Sequence, residues 1–213
     1  MLEGDFVEIE YIGKIKDTGE IFDLTDEKLA KEKGIYNEKV KYGPAKIIVG
    51  ENFVVKGLDK LLKKMKVNEE KVETIKPEDG FGNRDAKLVK VVSEIELKKQ
   101  KITPFPGMVL DFGDVKARVQ SVNSGRVRID FNHPLAGREL EYKVKINRKI
   151  EDKEEKAKVI TEFFGGKDLI PKILENKIEI EEKKEFPEKI KKKIAELMKK
   201  YLSVEKVDFV RSF

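Results

Sequence analysis

The sequence predicts an α+β fold: an antiparallel sheet wrapped on one helix, then a small strand-rich block, then an α+β C-terminal segment. Three patterns point there. Apolar and polar residues alternate over residues 7–12, apolar residues recur at helical spacing from Val54 to Met65, and at Arg84 the pattern changes to short strands that last to Asp130.

Val7, Ile9 and Tyr11 alternate with Glu8 and Glu10, so they form one face of a half-buried strand that Gly13 interrupts and residues 14–16 resume. Asp17-Thr18-Gly19 is a turn into a second strand, Ile21-Phe22-Asp23. Residues 24–45 are polar and irregular, a long surface excursion with a helical turn near residues 26–33. A buried strand follows at Ile47-Ile48-Val49-Gly50, then the helix from Val54 with Leu58, Leu61, Leu62 and Met65 on its apolar face, then a strand over residues 71–75. Asn68 suits a left-handed turn after the helix. Pro77 to Gly82 is dense in turn residues around a single aromatic, Phe81.

The middle block reads as strands over residues 88–97, 108–112, 115–122 and 126–131, the last two joined through Asn123-Ser124-Gly125. Leu140, Tyr142, Val144 and Ile146 share one face of a strand that suits the first sheet. Beyond Ile150 lie a helix ending at Gly165-Gly166, a strand at Ile178 and Ile180, a helix over residues 190–202 and a closing strand over residues 204–210.

Composition restricts the chemistry. With 46 Lys+Arg against 41 Asp+Glu, the net charge of +5 excludes a polybasic or an acidic disordered tail. Zero Cys and one His exclude disulfides, thiol nucleophiles, Cys/His zinc sites and most Ser-His-Asp arrangements, so no metal or other cofactor is expected. No run approaches the roughly 18 apolar residues of a membrane span, and the start is acidic where a signal peptide is basic, so a soluble cytoplasmic protein is expected. Abundant Lys and Glu with no Cys or Trp resemble the usage of hyperthermophiles.

Four segments, Val7 to Gly13, Gly19 to Asp23, Ile48 to Gly50 and Val54 to Leu58, resemble the FKBP-type peptidyl-prolyl isomerases. Asp79-Gly80-Phe81-Gly82 is similar to that family's aromatic-glycine loop, and Asn132-His133-Pro134-Leu135-Ala136-Gly137-Arg138-Glu139-Leu140-Glu141-Tyr142 resembles the hallmark of its SlyD-like branch. The resemblance covers about residues 1–150. It implies a discontinuous FKBP-like isomerase domain over residues 1–84 and 131–150 and an insert-in-flap chaperone domain over 85–130; residues 151–213, outside the resemblance, read from their own patterning as a C-terminal α+β domain of unknown role. The resemblance further implies that Tyr11, Phe22, Asp23, Val54, Val55, Leu58, Phe81 and Tyr142 surround a proline-binding pocket, with Leu135 as a ninth residue, and that Tyr11 hydrogen-bonds Asp23. Two departures are visible: Phe81 lacks the hydroxyl of the family's usual tyrosine, and Leu58 stands where many members have tryptophan.

The expected clients are unfolded or partly folded polypeptides and proline-containing peptides. Ile102, Phe105, Met108, Val109, Leu110 and Phe112 lie in a segment too short to bury them all, which suits promiscuous binding of extended apolar chains. The alternative is a non-catalytic binding module associated with RNA or the ribosome. A basic face of Lys116, Arg118, Arg126 and Arg128 would serve it, but that face has few aromatics for stacking, and a solvated hairpin is the expectation. His133 is expected to fix its loop, since bond rotation needs no acid. The apolar stripe of the last helix is expected to dock on its own small domain, with a homodimer contact second and a membrane surface a distant third.

Overall fold

A computed structural model describes residues 1–113 and 115–211. It has the α+β class that the patterning predicts, and it divides into two compact units, residues 1–75 with 141–213 and residues 76–140.

The first unit opens with β1 (Phe6–Ile15), β2 (Ile21–Leu24), α1 (Glu27–Glu32), β3 (Ala45–Ile48), α2 (Lys56–Lys63) and β4 (Glu70–Ile75). The second holds β5 (Val89–Ser93), α3 (Glu94–Lys99), β6 (Val109–Asp111), β7 (Lys116–Asn123) and β8 (Arg126–Asp130). The chain then returns through β9 (Leu140–Lys149) and continues as α4 (Lys153–Gly165), β10 (Leu169–Ile173), β11 (Lys177–Glu182), α5 (Glu188–Leu202) and β12 (Lys206–Arg211).

In the first unit the sheet runs β2-β1-β9-β4, with β3 also paired to β1. β1 takes both β2 and β3 antiparallel, and its register with β2 shifts between Gly13 and Lys14, a bulge that matches the break read at Gly13. The helix α2 buries Leu58, Leu61 and Leu62. Gly57 lets it lie close on β4, because a Cβ there would fall 2.4 Å from Ile75 Cγ2. Asn68 is left-handed, with φ 63°, and its N–H donates to Ile146 O. The excursion contains α1, capped by the Asp26 carboxylate, which accepts from Leu29 N–H.

The C-terminal segment forms a three-stranded sheet, β10-β11-β12, antiparallel at the first pair and parallel at the second. The strand β10 is absent from the sequence-based expectation. It contains Pro171, which lacks an N–H, and it lies at a sheet edge, where that donor is dispensable. Asp152 caps α4 by accepting from Glu155 N–H. Phe6 and Ile48 of the first sheet and Ile150 share one core with Ile160, Ile178, Ile194, Met198 and Leu202. The segment therefore docks on the sheet that precedes it. Arg148 ties the two parts at the surface by donating to Glu8 and Glu155, and hydrogen bonds from Arg148 and Lys46 pull the Glu155 carboxyl down to about 2.

The second unit is a four-stranded antiparallel sheet, β5-β8-β7-β6, around Leu97, Leu110, Ala117, Val119, Val127 and Ile129. Ser124 and Gly125 turn the β7-β8 hairpin at positive φ. One expectation is corrected here. Residues 88–97 do not form a single strand, because Ser93 ends β5 and α3 begins, with Glu94 and Glu96 in its first turn and Lys98 and Lys99 in its last. This order of charges complements the helix dipole.

Candidate active site

In the first unit the fold brings four of the expected residues together. Adjacent antiparallel strands β1 and β2 set Tyr11 near Asp23, and the Tyr11 hydroxyl donates to Asp23 Oδ2 at 2.8 Å. Tyr142 on β9 completes the cluster, its ring 6.0 Å from Tyr11 and 5.8 Å edge-on from Phe22. Burial, then the negative charge of Asp23, raises both phenols well above the ordinary tyrosine range. Both stay protonated under any working condition, so Tyr11 remains a donor and Asp23 has a fixed orientation. Tyr142 is only 3% exposed, so it walls the cluster from behind while Asp23 faces solvent.

Gly13 makes the cluster fit. A Cβ there would come within 2.8 Å of Phe22 Cζ and 3.1 Å of Tyr142 Cε1. Sequence reasoning read Gly13 as a strand interruption; its second role, clearance for two rings, is visible only in three dimensions.

Val54 and Val55 are half-buried at the entrance of α2, where Val55 is the N-cap residue. Leu58 is 1% exposed, a floor by position whose side chain belongs to the core. The loop before them is held from the C-terminal segment. Glu51 accepts from Lys200 Nζ and from the Tyr201 hydroxyl, each at 2.7 Å. Burial would raise the Glu51 carboxyl, but these hydrogen bonds outweigh it and hold the group below its ordinary value.

Phe81 and Leu135 lie in the second unit. The Phe81 ring stacks on His133 with centroids 4.4 Å apart and planes 4° from parallel. The His133 Nδ1 accepts from Leu135 N–H at 3.2 Å, which is the loop-fixing role expected of it. Asn132 of the same motif has a role the sequence did not disclose. Its amide donates to Asp85 O and Asp130 Oδ1, and its Oδ1 accepts from Asp85 N–H, so it joins the two chain segments at the base of the strand-rich block. Arg84 and Gln120 also bind the Asp130 carboxylate.

The six apolar residues expected to meet clients divide by exposure. Phe105, Val109 and Phe112 are exposed, while Ile102 and Met108 pack half-buried against the core. Leu110 is corrected: at 4% exposure it is part of that core, facing inward from β6. Among the described residues no helix is long and apolar enough to cross a membrane.

The family profile described as "FKBP-type peptidyl-prolyl cis-trans isomerase" matches residues 1–98, and that described as "FKBP26, IF domain" matches residues 90–135. A short-type peptidyl-prolyl cis-trans isomerase of Methanocaldococcus jannaschii is 34% identical over 144 residues, which cover 68% of this chain and 90% of that relative. The FKBP-type isomerase SlyD of Helicobacter pylori is 28% identical over 53% of this chain and 62% of its own. A probable FKBP-type 16 kDa isomerase of Pseudomonas fluorescens is 28% identical over 48% of this chain and 71% of its own. With nine tenths of the Methanocaldococcus jannaschii relative aligned to it and the IF-domain profile overlapping the end of the isomerase profile, the chain belongs to the FKBP-type peptidyl-prolyl cis-trans isomerase family.

Proposed function

We propose that this isomerase acts on X-Pro bonds in unfolded or partly folded chains, that Tyr11, Phe22, Asp23 and Tyr142 with Val54, Val55 and Leu58 form its proline site, and that residues 85–130 hold the client. The observation that carries the reading is the Tyr11–Asp23 hydrogen bond set against the edge-on rings of Phe22 and Tyr142. Rotation about the amide faces a barrier of about 18–20 kcal/mol from its partial double-bond character. An apolar aromatic site withdraws the amide from water, where the charge-separated resonance form is best solvated, and a shape matched to the twisted bond favours the transition state over either planar isomer. The Asp23 carboxylate, oriented by Tyr11, supplies a fixed dipole beside the amide.

Asp23→Ala is expected to lower kcat/KM for a short proline peptide by about tenfold or more, and Tyr11→Phe by about fivefold, the loss of one hydrogen bond. Both leave the core intact, because Asp23 is exposed and the phenyl ring that replaces the phenol keeps its packing. Tyr142→Ala is a poorer probe, since removing so buried a ring costs about 3–5 kcal/mol of stability. Unchanged turnover in the Asp23 and Tyr11 variants would remove this cluster from the reaction.

Client holding rests on the exposed Phe105, Val109 and Phe112 of the strand-rich block. Tethering a chain to the same molecule raises the local concentration of its prolines. Replacing residues 85–130 by a short loop is expected to change turnover of a small peptide by less than about threefold while slowing proline-limited refolding of a whole protein by about tenfold or more. Equal loss on both substrates would make the block a support for the proline site.

A further inference from the structure

We propose that α4, in the C-terminal segment, carries a subsite for the client, with Phe163 as the contact for a large uncharged apolar side chain flanking the proline. The inference rests on the proline-site reading above and adds a specificity element from residues outside it. A cleft of about 480 Å³ in the first unit is lined by Tyr11 and Asp23 together with Val159, Glu162 and Phe163 of α4. A chain whose prolyl amide lies at Asp23 therefore continues into space bounded by the C-terminal segment.

The cleft's chemistry selects its occupant. Phe163 is 48% exposed, yet its position is fixed: its ring stacks on Phe53 at 3.9 Å, and Phe164 meets it edge-on at 5.1 Å. A rigid aromatic face binds at low entropic cost. The charged groups of the cleft are already paired. Lys41 meets Glu162 at 2.6 Å, Lys46 meets Glu155 at 2.8 Å, and Asp23 accepts from Tyr11. A charged client side chain would have to compete with these partners, whereas an aromatic or large aliphatic one meets Phe163 without disturbing them. Phe53, on which Phe163 stacks, directly precedes Val54 and Val55 in the chain, and Tyr11 and Asp23 of the proposed proline site share the lining of the cleft with Phe163.

The test uses the full chain and proline peptides in which one position at a time, from three before the proline to three after, carries Phe, Leu, Lys or Glu in place of Ala. Selectivity is the kcat/KM of each peptide over that of the all-Ala peptide within the same enzyme, so a general loss cancels. The wild-type enzyme is expected to favour Phe or Leu at one position by about five- to tenfold, the range an aromatic contact supplies. Phe163→Ala is expected to abolish that preference, and Phe163→Lys to replace it with a preference for Glu at the same position. Identical profiles in all three enzymes, or a Phe163→Ala loss equal on every peptide, would overturn the subsite. A wild-type enzyme inactive on every peptide of the set would instead overturn the proline-site reading beneath it. Thermal unfolding of each variant establishes that folded protein is compared.

Discussion

Gly13→Ala is expected to reduce kcat/KM for a proline peptide by about ten- to a hundredfold, corresponding to the roughly 1–3 kcal/mol of overpacking a well-filled site. The backbone at Gly13 does not need glycine's positive φ, so the whole effect is one of space. The added methyl would meet Phe22 and Tyr142 inside ordinary contact distance, and one or both rings must move. Since Tyr142 is held by the core, the more exposed Phe22 is the ring that yields, and the cluster loses its edge-on geometry. The measurement is a peptide assay beside a thermal melt. A normal rate with a lowered melting temperature would mean that the rings serve the fold and not the reaction.

Ending the chain after Ile150 is expected to lower the melting temperature by about 10–20 °C and to reduce peptide turnover as well. Phe6, Ile48 and Ile150, each at most 2% exposed, lose their partners, and roughly 1.5–3 kcal/mol per side chain goes with them. The loop before α2 also loses the bonds from Lys200 and Tyr201 to Glu51, and Phe53 loses its stack with Phe163. Melting and turnover of the two chain lengths decide the matter. Equal melting temperatures would make residues 151–213 an independent appendage.

What the sequence discloses and what it conceals follow physical lines. Strand alternation over residues 7–12 and the helical spacing after Val54 are local signals, and β1 and α2 lie where they point. Tyr11 and Asp23 could be paired because the family resemblance supplies a tertiary contact that no periodicity contains. The helix α3 was hidden because Val89, Val91, Ile95 and Leu97 keep an alternating pattern across its boundary. The legible counter-signal was Ser93 followed by acids and then lysines. Pro171 lacks a backbone N–H, and β10 accommodates it as an edge strand paired to β11, a placement set by the sheet and not by the local pattern. The place of Phe163 beside the cleft depends on how a distant segment docks, which no window of sequence encodes.

The order of the sheet also sets the order in which the molecule can be built. The central strand β1 lies between β2 and β9, yet about 125 residues separate its end from β9, and the core beneath Phe6 draws on helices later still. During synthesis the first 75 residues must wait with an open sheet edge, while the strands of residues 76–140 find all their ladder partners nearby and can form early. A nascent chain of this protein is thus itself a client in need of protection until residue 150 and beyond have emerged. Slow translation between residues 75 and 150 would lengthen the interval in which that edge is open to pairing with other chains.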